Sequence, residues 1–182
     1  MLYTKISPVG IDIQIQRLQT LLFAKLPAIW GISDTLYECY GRCYRNQKDE
    51  GYVAEVYKGN NEYKEVYVDD RISAISFFGL TDQTIDMNKV NKAEVHLIFW
   101  VDIKKVKPAL LHRGDEEVRK DVEQIIKNKY GFQLSGIDLG IENVLRDYPG
   151  SLESDKVIKY RDMHPFHCFR FNFDLLYNIS QC

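Results

Sequence analysis

Two histidines and a cysteine fall within five residues near the end of the chain: His164, His167 and Cys168, in the stretch HPFHCFRFNFDLLYN. A pair of cysteines, Cys39 and Cys43, stands in YECYGRCY. Thiolate and imidazole are the ligands zinc prefers, so a site drawing on Cys39, Cys43, His164 and His167 is chemically conceivable. Strand geometry argues against it. In HPFHCFRFNFDLLYN, Phe169, Phe171, Phe173, Leu175 and Tyr177 alternate with Cys168, Arg170, Asn172 and Asp174, which predicts a strand with one aromatic and one polar side. His167 then falls on the aromatic side and His164 on the polar side, whereas ligands to one metal must converge. Pro165 suits the start of that strand. Cys39 and Cys43 read as two small half-buried strand residues.

Carboxylates give a second constellation. Asp86, and then Asp102 and Lys104 at the end of an apolar run, imitate the two acids and lysine with which metal-dependent nucleases hold Mg²⁺ and activate water. Glu62 and Lys64 match the acid-x-Lys part equally well, so the spacing alone does not single out a site. Asp69 and Asp70 are adjacent and diverge on a strand. With Arg71 as a local partner they read first as a turn, and next as part of an interface. No glycine-rich phosphate loop and no serine in a nucleophile elbow is present. The twelve tyrosines and nine phenylalanines lie at strand spacing without interleaved basic residues, which favours core and interface packing over base stacking.

These residues hang on a legible scaffold. Ile11, Ile15, Leu18, Leu22 and Leu26 recur at helical period, with Asp12 near the positive end and Pro27 as the stop. TLYECYGRCYRN alternates as a strand, and QKDEG is a turn. Tyr52–Tyr57 and Tyr63–Val68 flank KGNN as a hairpin, whose Gly59, Asn60 and Asn61 tolerate positive φ. RISAISFFG reads as a strand, TDQTIDMNKVNK as a polar connection, and Val95–Val101 as a central strand buried on both faces. A second helix is expected near residues 115–130. Asp115 caps it, Val118, Val122, Ile125 and Ile126 line it, and Gly131 closes it. LGIENVLRDYPGS holds a short helical turn before a Pro-Gly turn. The sum is an α+β domain spanning residues 1–182, a mainly antiparallel sheet with two helices on one face.

Composition bounds the function. The chain has 182 residues, 45% hydrophobic, which suffices for a sizeable core. The net charge of −2 supplies no basic field for gripping nucleic acid. The four cysteines are sparse for a secreted scaffold and read as reduced thiols. The start lacks a signal-peptide pattern, and the apolar runs are too short to span a bilayer. No cofactor is indicated.

The helix GIDIQIQRLQTLLFAKL, the strand YECYGRCYRN, the hairpin through AEVYKGNNEYKEVYVDD and the strand HPFHCFRFNFDLLYN together resemble tailed-bacteriophage neck and tail-completion proteins of the tail-terminator kind. Their wording is most similar to ring proteins joining portal to tail in crAss-like phages of Bacteroides. The resemblance implies a virion structural protein without enzymatic activity, made in the bacterial host cytoplasm. It would be a homo-oligomeric ring between portal and tail proteins, around passing DNA that it does not read. Residues Gly59, Asn60, Asn61, Asp69, Asp70 and Arg71, and the loop around Thr81–Lys92, are the expected contacts with neighbouring copies or rings. The alternatives left open are a metal-dependent nuclease and a small adaptor or immunity-type binding protein.

Overall fold

The computed structural model describes residues 1–48, 51–66, 69–85, 90–127, 129–148 and 164–178. Asp86, the Tyr67–Val68 end of the second hairpin run, the Pro149–Gly150 turn and Cys182 lie outside them. The chain opens with a two-residue strand, β1 (Leu2–Tyr3), and a long helix, α1 (Ile11–Trp30). The helical stripe of Ile11, Ile15, Leu18, Leu22 and Leu26 is fully buried. Each such side chain contributes roughly 1.5–3 kcal/mol relative to exposure.

Pro27 does not stop this helix; it sits inside it. The proline removes one backbone donor, but the added turn buries Trp30 and points its indole N–H at Asp121 Oδ2, 3.1 Å away. That contact offsets the missing bond. The stop is Gly31, left-handed at φ 63°, after which the Ile32 N–H reaches back to the Pro27 carbonyl at 3.0 Å.

After a 3₁₀ turn (Asp34–Leu36) come β2 (Tyr37–Lys48), β3 (Gly51–Gly59), β4 (Glu62–Glu65), β5 (Ala74–Ile85) and β6 (Val90–Asp102). Then follow a one-turn helix α2 (Ile103–Val106), α3 (Asp115–Ile126), β7 (Phe132–Leu139), a one-turn helix α4 (Ile141–Val144) and β8 (Phe166–Asn178). One sheet runs in the order β4-β3-β2-β5-β6-β8-β7, with β1 alongside β2. Only β1–β2 and β2–β5 pair in parallel; the other neighbours are antiparallel. The fold is α+β, as read.

The expected polar connection Thr81–Lys92 is instead the outer half of a long hairpin. β5 continues to Ile85, β6 begins at Val90, and Gln83 and Thr84 pair with Ala93 and Lys92. Out there β6 buries only alternate residues: Asn91 and Ala93 face inward, while Val90, Lys92 and Glu94 face out. Its polar residues therefore match a one-sided strand as well as a loop. The inner half, Val95–Asp102, is buried on both faces, as the apolar run requires.

α3 buries Val118, Val122, Ile125 and Ile126. Its cap is Gly114, not Asp115. The Asp115 carboxylate accepts from Arg113 at 2.5 Å rather than from its own helix backbone. Nor does Gly131 close it, since the helix ends at Ile126. Gly131 (φ 82°) shapes the turn into β7, where a Cβ would strike the Leu176 carbonyl oxygen at 2.7 Å.

Each face of the sheet carries a core. α1 and α3 cover one, packing on Tyr37, Phe78, Leu97, Phe99, Phe169, Phe171 and Phe173. On the other, Tyr40, Ile75, Phe77, Ile98 and Trp100 meet Ala54 and Val56 of β3, Ile141 and Val144 of α4, and Tyr148. A bulge in β2 between Cys39 and Arg42 switches the strand's facing. Cys39 belongs to the helix-side core, whereas Tyr40 and Cys43 belong to the opposite one.

Candidate assembly surfaces and an arginine-lined cleft

That bulge separates the cysteines. Cys39 and Cys43, both fully rather than half buried, lie on opposite sides of the sheet and cannot share a metal. Burial pushes the Cys39 thiol up to about 11 and the Cys43 thiol up to about 12. His167 stacks on Phe169 with ring centroids 5.0 Å apart, on the aromatic side, and its Nδ1 is 3.9 Å from Asp115. His164 precedes the strand in a turn. Among the described residues, no group of three or more His, Cys, Asp or Glu is placed to hold a metal ion.

Asp102 is buried at the junction of β6 and α2, where its carboxylate caps the Lys105 N–H at 3.3 Å and lies 3.5 Å from Lys105 Nζ. It serves as a helix cap. Lys104 is exposed, and Lys64 is drawn 2.9 Å from Glu38 rather than toward Glu62, which faces Lys58.

The two candidate contact groups lie beyond the two ends of β4. At the hairpin tip, Gly59, Asn60 and Asn61 take φ of 103°, 51° and 59°, the conformation their types favour, and the two asparagines are exposed. Past the other end, Asp69 and Arg71 form the local pair expected of a turn. Arg71 donates through Nε at 2.9 Å, Nη2 at 2.7 Å and its backbone N–H at 2.9 Å. Hydrogen bonds from the Arg71 side chain and backbone hold the Asp69 carboxyl down to about 2. Asp70 is exposed, and its carbonyl accepts from Lys105.

The sheet's two ends supply surfaces that the sequence did not suggest. Among the described residues, β7 is one outer strand. Its Leu134, Ile137 and Leu139 stand opposite Phe173, Phe171 and Phe169, yet are 41%, 39% and 43% exposed. Its sequence FQLSGIDL contains no lysine and no proline, the residues that usually guard an edge. Its one charge, Asp138, is already engaged. It accepts from Arg170 Nη2 at 2.6 Å and from Asn172 Nδ2 at 2.9 Å. The Asn172 amide and then the Arg170 guanidinium keep its carboxyl below the usual range. β4, with Tyr63 half exposed, is the other outer strand.

Arg170, only 3% exposed, is the hub of a polar network on the α4 side of the sheet. It also donates to Asp147 Oδ2 at 2.8 Å. Next to it His96 is buried, 3.4 Å from the Tyr148 hydroxyl and 3.6 Å from Glu94. Burial, reinforced by Arg170, lowers its pKa. Tyr148 lies over Gly79, whose missing side chain leaves room for the hydroxyl.

Above Tyr148 the sheet forks. β2 and β5 stay paired to Arg42 and Phe78, after which β2 continues with β3 and β5 with β6. The fork holds a cleft of about 520 Å³. Among the described residues, Arg42, Cys43, Tyr44 and Arg45 form one wall, Leu80 and Thr81 a second, and Arg146, Asp147 and Tyr148 a third.

No helix among the described residues is long and apolar enough to cross a membrane. No protein-family model, curated protein or solved structure matches the chain.

Proposed function

We propose that this chain is a structural virion protein of a tailed bacteriophage, one subunit of a cyclic ring between portal and tail that lines part of the DNA conduit. The observation that carries the reading is a single sheet with two dissimilar outer strands, β4 and β7. An outer strand offers a row of unpaired main-chain donors and acceptors. When the two ends of a subunit differ, joining them is a head-to-tail contact, and successive copies close into a ring if the rotation permits. The partly apolar β7, which carries no lysine and no proline, fits one side of such a joint, and Tyr63 on β4 fits the other. The net charge of −2 suits a conduit that must let DNA pass without holding its phosphates.

The test is negative-stain electron microscopy and light scattering on the concentrated full chain, with a Mg²⁺/DNA cleavage assay on the same sample. Closed rings are expected, and Ile137→Lys, which places a charge on the β7 edge, is expected to leave folded monomers. Monomers that cut DNA would overturn the reading. So would rings unaffected by Ile137→Lys and by Tyr63→Lys, or absence of the chain from purified virions.

A further inference from the structure

A histidine buried beneath the segment that closes the second core carries a separate inference, one that does not depend on the ring. His96 is 2% exposed, with Gly79 of β5 opposite it on one side and Asn172 of β8 on the other. Its Nδ1 lies 3.4 Å from the Tyr148 hydroxyl and its Nε2 3.6 Å from the Glu94 carboxylate. The charged and titratable groups around it are Glu94 on its own strand, Arg170 on β8, and Asp147 and Tyr148 after α4. Cys43 of β2 faces Tyr148, and Asp138 of β7 faces Arg170. Neither nearby carboxylate is placed to neutralise an imidazolium. Asp147 is bonded to Arg170 at 2.8 Å, and Glu94 is half exposed and just beyond hydrogen-bond reach. A proton on His96 therefore sets a second cation beside Arg170 in a site closed to water, where burial and a like charge both oppose it. The cover over this site is lightly held. Residues 145–148 form a bend and a turn rather than a strand. They are fixed by the Tyr148 N–H on the Leu145 carbonyl at 2.9 Å, by the Arg170–Asp147 bond, and by the Tyr148 ring edge-on to Phe77. Lifting Tyr148 off Gly79 admits water to His96 and leaves every strand pair in place.

We propose that His96, Tyr148 and the Arg170–Asp147 pair form an acid-operated latch on the second core. Neutral His96 lets Tyr148 shut the core. Protonated His96 releases Tyr148 and residues 145–148, while the sheet and the helix-side core stay folded. Burial first, and Arg170 second, hold the shut-state pKa below the ordinary 6.5, whereas an imidazole opened to water returns toward that value. The open form thus binds the proton more tightly, and acid favours it. The latch is shut above about pH 6.5. Below that, opening grows by up to about tenfold per pH unit until the shut-state pKa is reached.

Cys43 reports the opening, because it is buried in the second core and lines the same cleft as Tyr148; Cys39, in the helix-side core, is the internal control. The experiment labels the full chain with dithiodipyridine at about pH 7.5, 6.5 and 5.5 and reads each cysteine by peptide mass spectrometry. Each rate is divided by that of the urea-unfolded chain at the same pH, which removes the chemistry of the thiol itself. Cys43 is expected to be about five- to tenfold more exposed at the lowest pH than at the highest, with Cys39 unchanged. His96→Gln should abolish the rise, and His96→Asn takes its place if circular dichroism shows that the first variant does not fold. Equal protection of Cys43 at all three pH values overturns the latch. A rise in which Cys39 keeps step also overturns it, because the whole chain would then be opening. So does a rise that survives the loss of His96, because another group would then be titrating.

Discussion

Gly79→Ala isolates the contact that closes the second core. Gly79 lies on β5 opposite His96, and its backbone is ordinary strand, so added bulk is the only objection to a side chain. A Cβ there would lie 1.3 Å from the Tyr148 hydroxyl oxygen and 2.3 Å from Cζ. Ordinary contact needs about 3.5 Å, so the ring's end must retreat by about 2 Å. The ring is only 4% exposed, and it stands edge-on to Phe77 with centroids 6.0 Å apart. Local overpacking costs about 1–3 kcal/mol. If the ring is expelled entirely, the ceiling is the cost of losing a buried aromatic, about 3–5 kcal/mol. We therefore expect Gly79→Ala to destabilise by about 2–4 kcal/mol in urea unfolding, with an unchanged slope. The check is a double-mutant cycle. Tyr148→Ala alone should cost about 3–5 kcal/mol, and Gly79→Ala added to it should then cost less than about 0.5 kcal/mol, since the obstacle is gone. An equal cost for Gly79→Ala in both backgrounds would refute the argument and locate its effect in the backbone.

Arg170→Met should cost about 2–4 kcal/mol in the same assay. It leaves Asp138 and Asp147 without their shared cation, and the figure sits below the cost of breaking a fully buried pair because both carboxylates are about a third exposed; a change under about 1 kcal/mol would refute this. His96 has a folded-state pKa below its ordinary 6.5, so the unfolded chain binds the proton more readily. Its contribution is complete above about pH 6.5 and is lost as pH falls through the folded value. His96→Gln should therefore flatten the stability profile between about pH 6.5 and 5, and an unchanged profile would count against it. Cys39 and Cys43, buried and raised to about 11 and about 12, should resist a thiol reagent at pH 8 in the native protein and react on unfolding. Labelling of either in the folded state would place it at the surface.

What could be read from the sequence follows from how a signal is encoded. The stripe of α1 and the alternation of β8 are runs long enough for period to speak, and both appear in the structure with every named apolar residue buried. The hairpin at Asn60–Asn61 was legible because positive φ needs those residue types. β7 was missed for the opposite reason. FQLSGIDL pairs on one side only, buries little beyond Phe132 and carries a bulge between Leu134 and Gly136, so neither its period nor its hydrophobicity resembles an interior strand. Pro27 misled because a breaker acts on one hydrogen bond, while Trp30 three residues later acts on packing and on α3.

The functional surfaces were the least visible because they depend on pairings between distant segments. Arg170 looked like one polar position in an alternating strand. It becomes a hub only when β7 brings Asp138 opposite it and the segment after α4 brings Asp147 beside it. The bulge in β2 governs this whole region. It places Gly41 against Gln19 of α1 and Arg42 beside Asp12, and it turns Tyr40 and Cys43 toward the second core. One extra residue thus decides which side of the sheet each later β2 side chain meets and dissolves the imagined cysteine pair. Removal of Gly41 takes out that extra residue: Cys39 and Cys43 are then three steps apart and stay on opposite sides under strict alternation, so the chain should still fold with every later β2 residue facing its present core, and loss of folding in circular dichroism would refute this account of the bulge.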